Sequence, residues 1–209
     1  MTDNTSSATT CERILAAAEA EFFSKGFAGA RTTSIAEAAG VTHAMLHYYY
    51  RTKQNLFQTV IGGKMQLLRD LMLSSIGDPS IPLFEKISRC IEYHIDFIMA
   101  NPQLPGLMVN VVLRDEQMSG MAFDSIASRV DEVITSLQLQ IDEMALRGEC
   151  RSVDARMLLI EILTLDVMPF IMDKAVDIIM GGIFATDREK IASLLKKENI
   201  DTILRKLRP

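Results

Sequence analysis

Residues 34–46 read SIAEAAGVTHAML, and no other stretch of this 209-residue chain restricts its fold as sharply. Ile35, Ala36 and Ala39 recur at helical spacing, Gly40 interrupts the run, and Thr42 comes next as a residue whose side chain caps a new helix. A chain leaving a helix so abruptly must pass through the left-handed region, which glycine enters without steric cost. The alanines let a second helix approach closely. The pattern therefore predicts two short helices joined by a tight turn, a helix-turn-helix, in which the first helix braces and the second offers its N-terminal residues to a DNA major groove.

The second helix carries the chemistry expected of that role. In VTHAMLHYYYRTK, Val41 and Leu46 can plug a small core, leaving His43, Ala44 and Met45 facing outward. Ala44 and Met45 suit contact with thymine methyls, and His43 can donate or accept at a base edge. His47, Tyr48 and Tyr49 can reach from groove to backbone and donate to phosphate oxygens, which fixes register without reading sequence. Lys53, with the amides of Thr52 and Lys53, sits where another helix begins and its dipole favours phosphate. Consecutive helical residues point in different directions, so the three tyrosines cannot share one buried stripe.

Charge placement agrees. Residues 1–69 hold seven Lys/Arg and five Asp/Glu (+2), whereas residues 70–209 hold fifteen and twenty-two (−7). No carboxylate lies between Glu37 and Asp70, while Arg51, Lys53, Lys64 and Arg69 do. A basic island on an acidic body confines any polyanion site to that island.

The rest of the chain reads as helix throughout, without strand-like alternation or repeats. Residues 1–10 are expected to be a disordered lead-in, with Thr9 and Glu12 forming a capping box for a helix to about Lys25 that Gly26 ends. Ile14, Leu15, Ala18 and Phe22 form its inner face. A helix from Lys53 to about Ser75 is expected to bury Leu56, Val60, Leu67, Leu68 and Leu71. Gly62-Gly63 interrupts it, as a hinge or as a point of close packing. GDPSIP (77–82) and NPQLP (101–105) punctuate the remainder of the chain. Helices are expected over 81–100, 106–114, 119–147 (stopped by Gly148), 154–180 with a kink at Pro169, and within 187–207. Along 119–147 the inner positions are Ile126, Val130, Val133, Ile134, Leu137, Ile141 and Met144. The fold class is all-α: a three-helix DNA-binding domain over residues 11–56 and a larger helical domain over 57–209.

Residues 11–30 and 32–57 together, CERILAAAEAEFFSKGFAGA and TTSIAEAAGVTHAMLHYYYRTKQNLF, resemble the tetracycline-repressor (TetR) family of bacterial transcriptional regulators. Thr32, Ile35, Ala36, Ala39, Gly40, Val41, Thr42, Tyr49, Lys53 and Leu56 match its pattern. Ala44, His47 and Tyr50 depart from the Gly, Tyr and Phe usual there, which leaves the operator sequence open. The resemblance implies a DNA-contacting set of Thr32, Thr33, Thr42, His43, Ala44, Met45, His47, Tyr48, Tyr49 and Lys53. It implies a homodimer through the C-terminal helices, residues 155–180 and 187–207, although those faces could also pack within one subunit. It implies a double-stranded, palindromic operator and release by a small-molecule inducer. Phe97, Leu107, Met108, Met121, Phe123 and Met168 are candidates to line an apolar ligand pocket, or are plain core; His94 reads as a structural histidine.

Other classes fit poorly. There is no metal-ligand spacing, no phosphate-binding glycine loop and no nucleophile elbow, so neither an enzyme nor a bound cofactor or metal is expected. Cys11, Cys90 and Cys150 are odd in number and widely spaced, as in a reducing cytoplasm. No signal peptide is evident, and charges interrupt the apolar region 158–183, so no membrane span is expected. The alternative is a helical ligand- or partner-binding protein without DNA-binding activity.

Overall fold

The computed structural model describes residues 3–76, 78, 80–114 and 116–209, with the side chains of 3–9, 73, 75 and 110–129 outside the description. Described residues form helices α1 (Asp3–Gly29), α2 (Thr32–Ala38), α3 (His43–Tyr50), α4 (Lys53–Ile76), α5 (Leu83–Ala100), α6 (Leu104–Arg114), α7 (Glu116–Leu146), α8 (Ala155–Ile171), α9 (Asp173–Ile179), α10 (Ile183–Thr186) and α11 (Arg188–Leu207). The fold is all-α. Two compact units emerge, residues 1–66 with 107–125, and residues 67–106 with 126–209. The first unit thus takes in residues 57–66 and 107–125, which the sequence pattern places in the larger domain.

In the first unit, Ile14, Ala18 and Phe22 of α1 are fully buried, as their spacing requires. Helix starts at Asp3 instead of at a Thr9 cap, so residues expected as a disordered lead-in are helical; no proline or glycine stands before Gly26 to stop the helix. Gly26, at φ 67°, breaks α1 where expected. Phe22 and Phe57 meet edge-on at 4.9 Å, and Phe27 meets Phe57 at 5.1 Å. From α4 this core takes Leu56, Phe57, Val60, Ile61 and Met65. Leu67, expected on that buried side, is instead 51% exposed. The inward stripe advances by fours through 57, 61 and 65, which turns position 67 well away from it. Gly62 and Gly63 are helical, and a Cβ at either would meet nothing within 4 Å among the described residues.

The second unit is built on α5, whose Leu83, Ile87, Cys90, Ile91 and Ile95 pack with Ile134, Leu137 and Ile141 of α7, Leu158 and Ile162 of α8, and Ile203 and Leu207 of α11. Ile126, expected to start the α7 stripe, lies outside the described side chains. Gly148 (φ 71°) stops α7, its amide bonding Ala145 O while Glu149 N–H returns to Met144 O. Asp154 caps α8 by accepting from Met157 N–H. The helix expected over 154–180 is two helices, broken at Met172 three residues after Pro169, which brings no N–H to the ladder and crowds the preceding turn.

One polar cluster sits inside this core. His94 Nδ1 lies 2.9 Å from Asp166 Oδ2, and Asn199 Nδ2 donates to Asp166 Oδ1 at 2.8 Å, joining α5, α8 and α11. All three side chains are buried. His94 is therefore a structural histidine, as expected.

Candidate nucleic-acid interface

The turn between α2 and α3 forms as its residues dictate. Gly40 adopts φ 64°, its amide bonds Glu37 O, and Val41 N–H returns to Ala36 O. Thr42 then caps α3, its hydroxyl accepting from Met45 N–H at 3.2 Å. Leu46 is the buried anchor of α3, and Val41 is half-buried beside the turn. With one anchor facing inward, the remaining faces of this eight-residue helix are free for other work.

Those faces carry the expected residues. His43, Ala44, Met45, His47 and Tyr48 are exposed, Met45 at 41% and Tyr48 at 69%. Tyr49 is half-buried, its ring edge-on to Tyr48 at 5.6 Å. Tyr50 turns inward toward Cys11 of α1; burial, with the Cys11 side chain as hydrogen-bond partner, pushes its hydroxyl up to about 12.

His43 is held in place. Its Nε2 lies 3.0 Å from Thr32 Oγ1, linking the start of α2 to the start of α3. One ring nitrogen is thereby engaged, leaving Nδ1 for an outside partner. Lys53 behaves differently from the free cation that the sequence implies. Its Nζ donates to Ala28 O at 3.4 Å and lies 4.7 Å from the Phe27 ring centre, so it fastens the end of α1 to the start of α4. Burial lowers its pKa, and the nearby Glu21 carboxylate opposes that shift.

A notch of about 390 Å³ gathers much of this set. Thr32, Thr33, His43, His47 and Lys53 line it, together with Arg31 and Arg51. The two arginines are not among the expected contacts, yet both are exposed and bring charge to the same concavity. Glu21, the acid whose charge acts on Lys53, is occupied: it pairs with Lys25 at 2.9 Å and accepts Arg31 N–H at 3.1 Å, and these bonds lower its pKa. A signal for Arg51 exists in the sequence, as it directly succeeds the tyrosines within the carboxylate-free run.

Arg51 also holds an uncommon backbone. At φ 60°, ψ −53°, with Thr52 N–H reaching Tyr50 O at 2.6 Å, it is the centre of a γ-turn of the rare positive-φ kind. Thr52 then caps α4 by accepting from Asn55 N–H. The strain, of order 1–3 kcal/mol, turns the chain from α3 into α4 within two residues.

The expected ligand-pocket residues divide between the two units. Phe97 (buried) and Met168 (exposed) belong to the second unit; Leu107 (buried) and Met108 (half-buried) belong to the first. The side chains of Met121 and Phe123 lie outside the described residues. Among the described residues no three His, Cys, Asp or Glu side chains converge as a metal ion would require.

A braced pair of helices, a glycine turn and a polar, ring-bearing outer face define a helix-turn-helix protein. Residues 14–60 match the family of bacterial regulatory proteins named for tetR. That segment of the chain thus resembles the DNA-binding domain of TetR-family transcriptional regulators. The chain is 36% identical over 96 residues to the HTH-type transcriptional repressor SCO4008 of Streptomyces coelicolor; that match spans just under half of each protein, 46% of this chain and 46% of the repressor. Among solved structures, a protein from Mesorhizobium loti MAFF303099 classed as a TetR-family regulator superposes with a TM-score of 0.68, 18% identity, and coverage of 97% of this chain and 98% of that one. For SCO4942 of Streptomyces coelicolor the values are 0.69, 19%, 96% and 99%. AibR, solved with isovaleryl coenzyme A and operator DNA, gives 0.62, 17%, 81% and 97%. At these identities the structures share the fold.

Proposed function

We propose that this chain is a ligand-responsive repressor, binding a palindromic operator as a homodimer and released by a small, largely apolar inducer. The observation that carries the reading is the outward display of α3, with His43, Ala44, Met45 and Tyr48 in solvent and Leu46 as the anchor. In this arrangement Ala44 and Met45 read base edges. Tyr48, Tyr49, His47, Arg31, Arg51, Thr32 and Thr33 hold phosphates, Lys53 positions the α1–α2 connection, and Thr42 supports the helix start.

Dimerisation draws support from α8, which is apolar nearly all round. Leu158 and Ile162 face the core while Met157, Ile160 and Leu163 face solvent, and in α9 Ile178 and Ile179 are each 82% exposed. An apolar surface of that kind favours a partner, and a two-fold dimer would set two recognition helices against two half-sites. The inducer reading draws on AibR, whose complex holds both a coenzyme A thioester and operator DNA. An inducer must prefer the non-binding arrangement, and the shift cannot exceed that preference.

The test is electrophoretic mobility of the region upstream of the chain's own gene, titrated with salt. Binding that weakens steeply as salt rises is expected, because phosphate contacts release counterions. Absence of any shift at low salt would instead favour a helical ligand- or partner-binding protein.

A further inference from the structure

A second concavity lies wholly within the second unit, between the start of α5 and the last turns of α7. It encloses about 480 Å³, a volume suited to a small metabolite. Leu83, Phe84, Leu139 and Met144 give it an apolar wall. At its base is Lys86, only 1% exposed. Its Nζ donates to Gln140 Oε1 at 2.8 Å, and Gln140 in turn donates to Ile81 O.

An ammonium has three donors, and here one is taken. No carboxylate among the described residues lies within ion-pair distance of it; Asp78 acts on it only from farther away, and burial lowers its pKa. Arg147 and Glu149, on the rim, satisfy each other at 3.0 Å. Lys86 is thus a buried cation held by a neutral amide, a costly arrangement unless an acceptor completes it. The remaining rim acid, Glu143, would repel a doubly charged guest and tolerate a singly charged one.

We propose that this cleft binds a small monovalent carboxylate with an apolar tail, the carboxylate on Lys86 and the tail along Leu83, Phe84, Leu139 and Met144. The site contains none of the six residues expected to line an effector pocket, and its binding is measurable without DNA.

Isothermal titration of the full chain with decanoate at low salt is the direct test. Saturable binding is expected, with decanol and inorganic phosphate each much weaker because each supplies only half of the match. Lys86→Met should weaken decanoate about tenfold or more, the scale of one lost charge-assisted hydrogen bond. Leu139→Glu, at an exposed position on the wall, should weaken it comparably without touching the core; it decides the matter if Lys86→Met does not fold by circular dichroism. Leu146→Ser, exposed and outside the cleft, should leave binding unchanged. No saturable decanoate binding, equal binding of decanol, or binding that survives the cleft variants overturns the assignment.

Discussion

The chain has three histidines, and the two units use them in opposite ways. His43 and His47 stand on α3 in solvent, where a ring nitrogen is useful for meeting something outside the protein. His94 is sealed among α5, α8 and α11, where Asp166 takes a bond from each of its neighbours. The lysines run the other way: Lys53 is folded down onto a carbonyl and a phenyl ring, while Lys86 is buried beside a cleft. His43 and His47 are contacts offered, whereas His94 is a contact already made, so loss of its partner is felt as stability before it is felt as binding.

The contrast is most exposed to disproof at Asp166. Asp166→Ala leaves buried donors on His94 and Asn199 unanswered, which should cost about 3–5 kcal/mol. Thermal or urea unfolding of the purified chain should show it as a large drop in midpoint. A variant as stable as the parent would mean that the cluster does not tie the three helices together. Tyr48→Ala should do the reverse, changing stability by less than about 0.5 kcal/mol, as exposed substitutions do. It should nevertheless weaken operator binding for every sequence tested. Met45→Ala should shift which sequence is preferred, by about 1–3 kcal/mol at the affected base pair.

Local features should give smaller effects. Thr42→Ala removes the α3 cap and should cost about 1 kcal/mol. Gly63→Ala should stabilise by about 1 kcal/mol, since a methyl there meets open space within a helix. If that variant is also unchanged in operator affinity, flexibility at this point of α4 serves nothing the assay can see.

Legibility in the sequence extends to what is local. Gly26, Gly40 and Gly148 mark real helix ends, and Thr42 is a real cap, because each acts on backbone within a few residues. The exposed face of α3 is legible for the same reason: α3 is a single short helix with one buried anchor, Leu46. Partners far along the chain settle the rest. Nothing near Lys53 announces Ala28 and Phe27, 25 and 26 positions earlier, and nothing near His94 announces Asp166, 72 residues on. Leu67 fails for another reason: the inward stripe of α4 drifts around the helix, so an apolar residue two turns beyond Val60 can still face water.

Tyr50 offers the finest test, because it is the half-buried tyrosine of the run whose hydroxyl meets Cys11 of α1. Its folded pKa, about 12, lies above the ordinary tyrosine value near 10, so the neutral hydroxyl is favoured in the folded state. Below about pH 10 both folded and unfolded chains keep the proton, and the contribution is present in full. Between about 10 and 12 the unfolded chain loses its proton first, and the contribution disappears as pH rises through the folded value. Alkaline unfolding of the chain should therefore steepen across that window, and Tyr50→Phe should flatten it. Tyr48→Phe, at an exposed ring, should leave the profile as it was; if both substitutions behave alike, the division between displayed and enclosed rings on α3 does not hold.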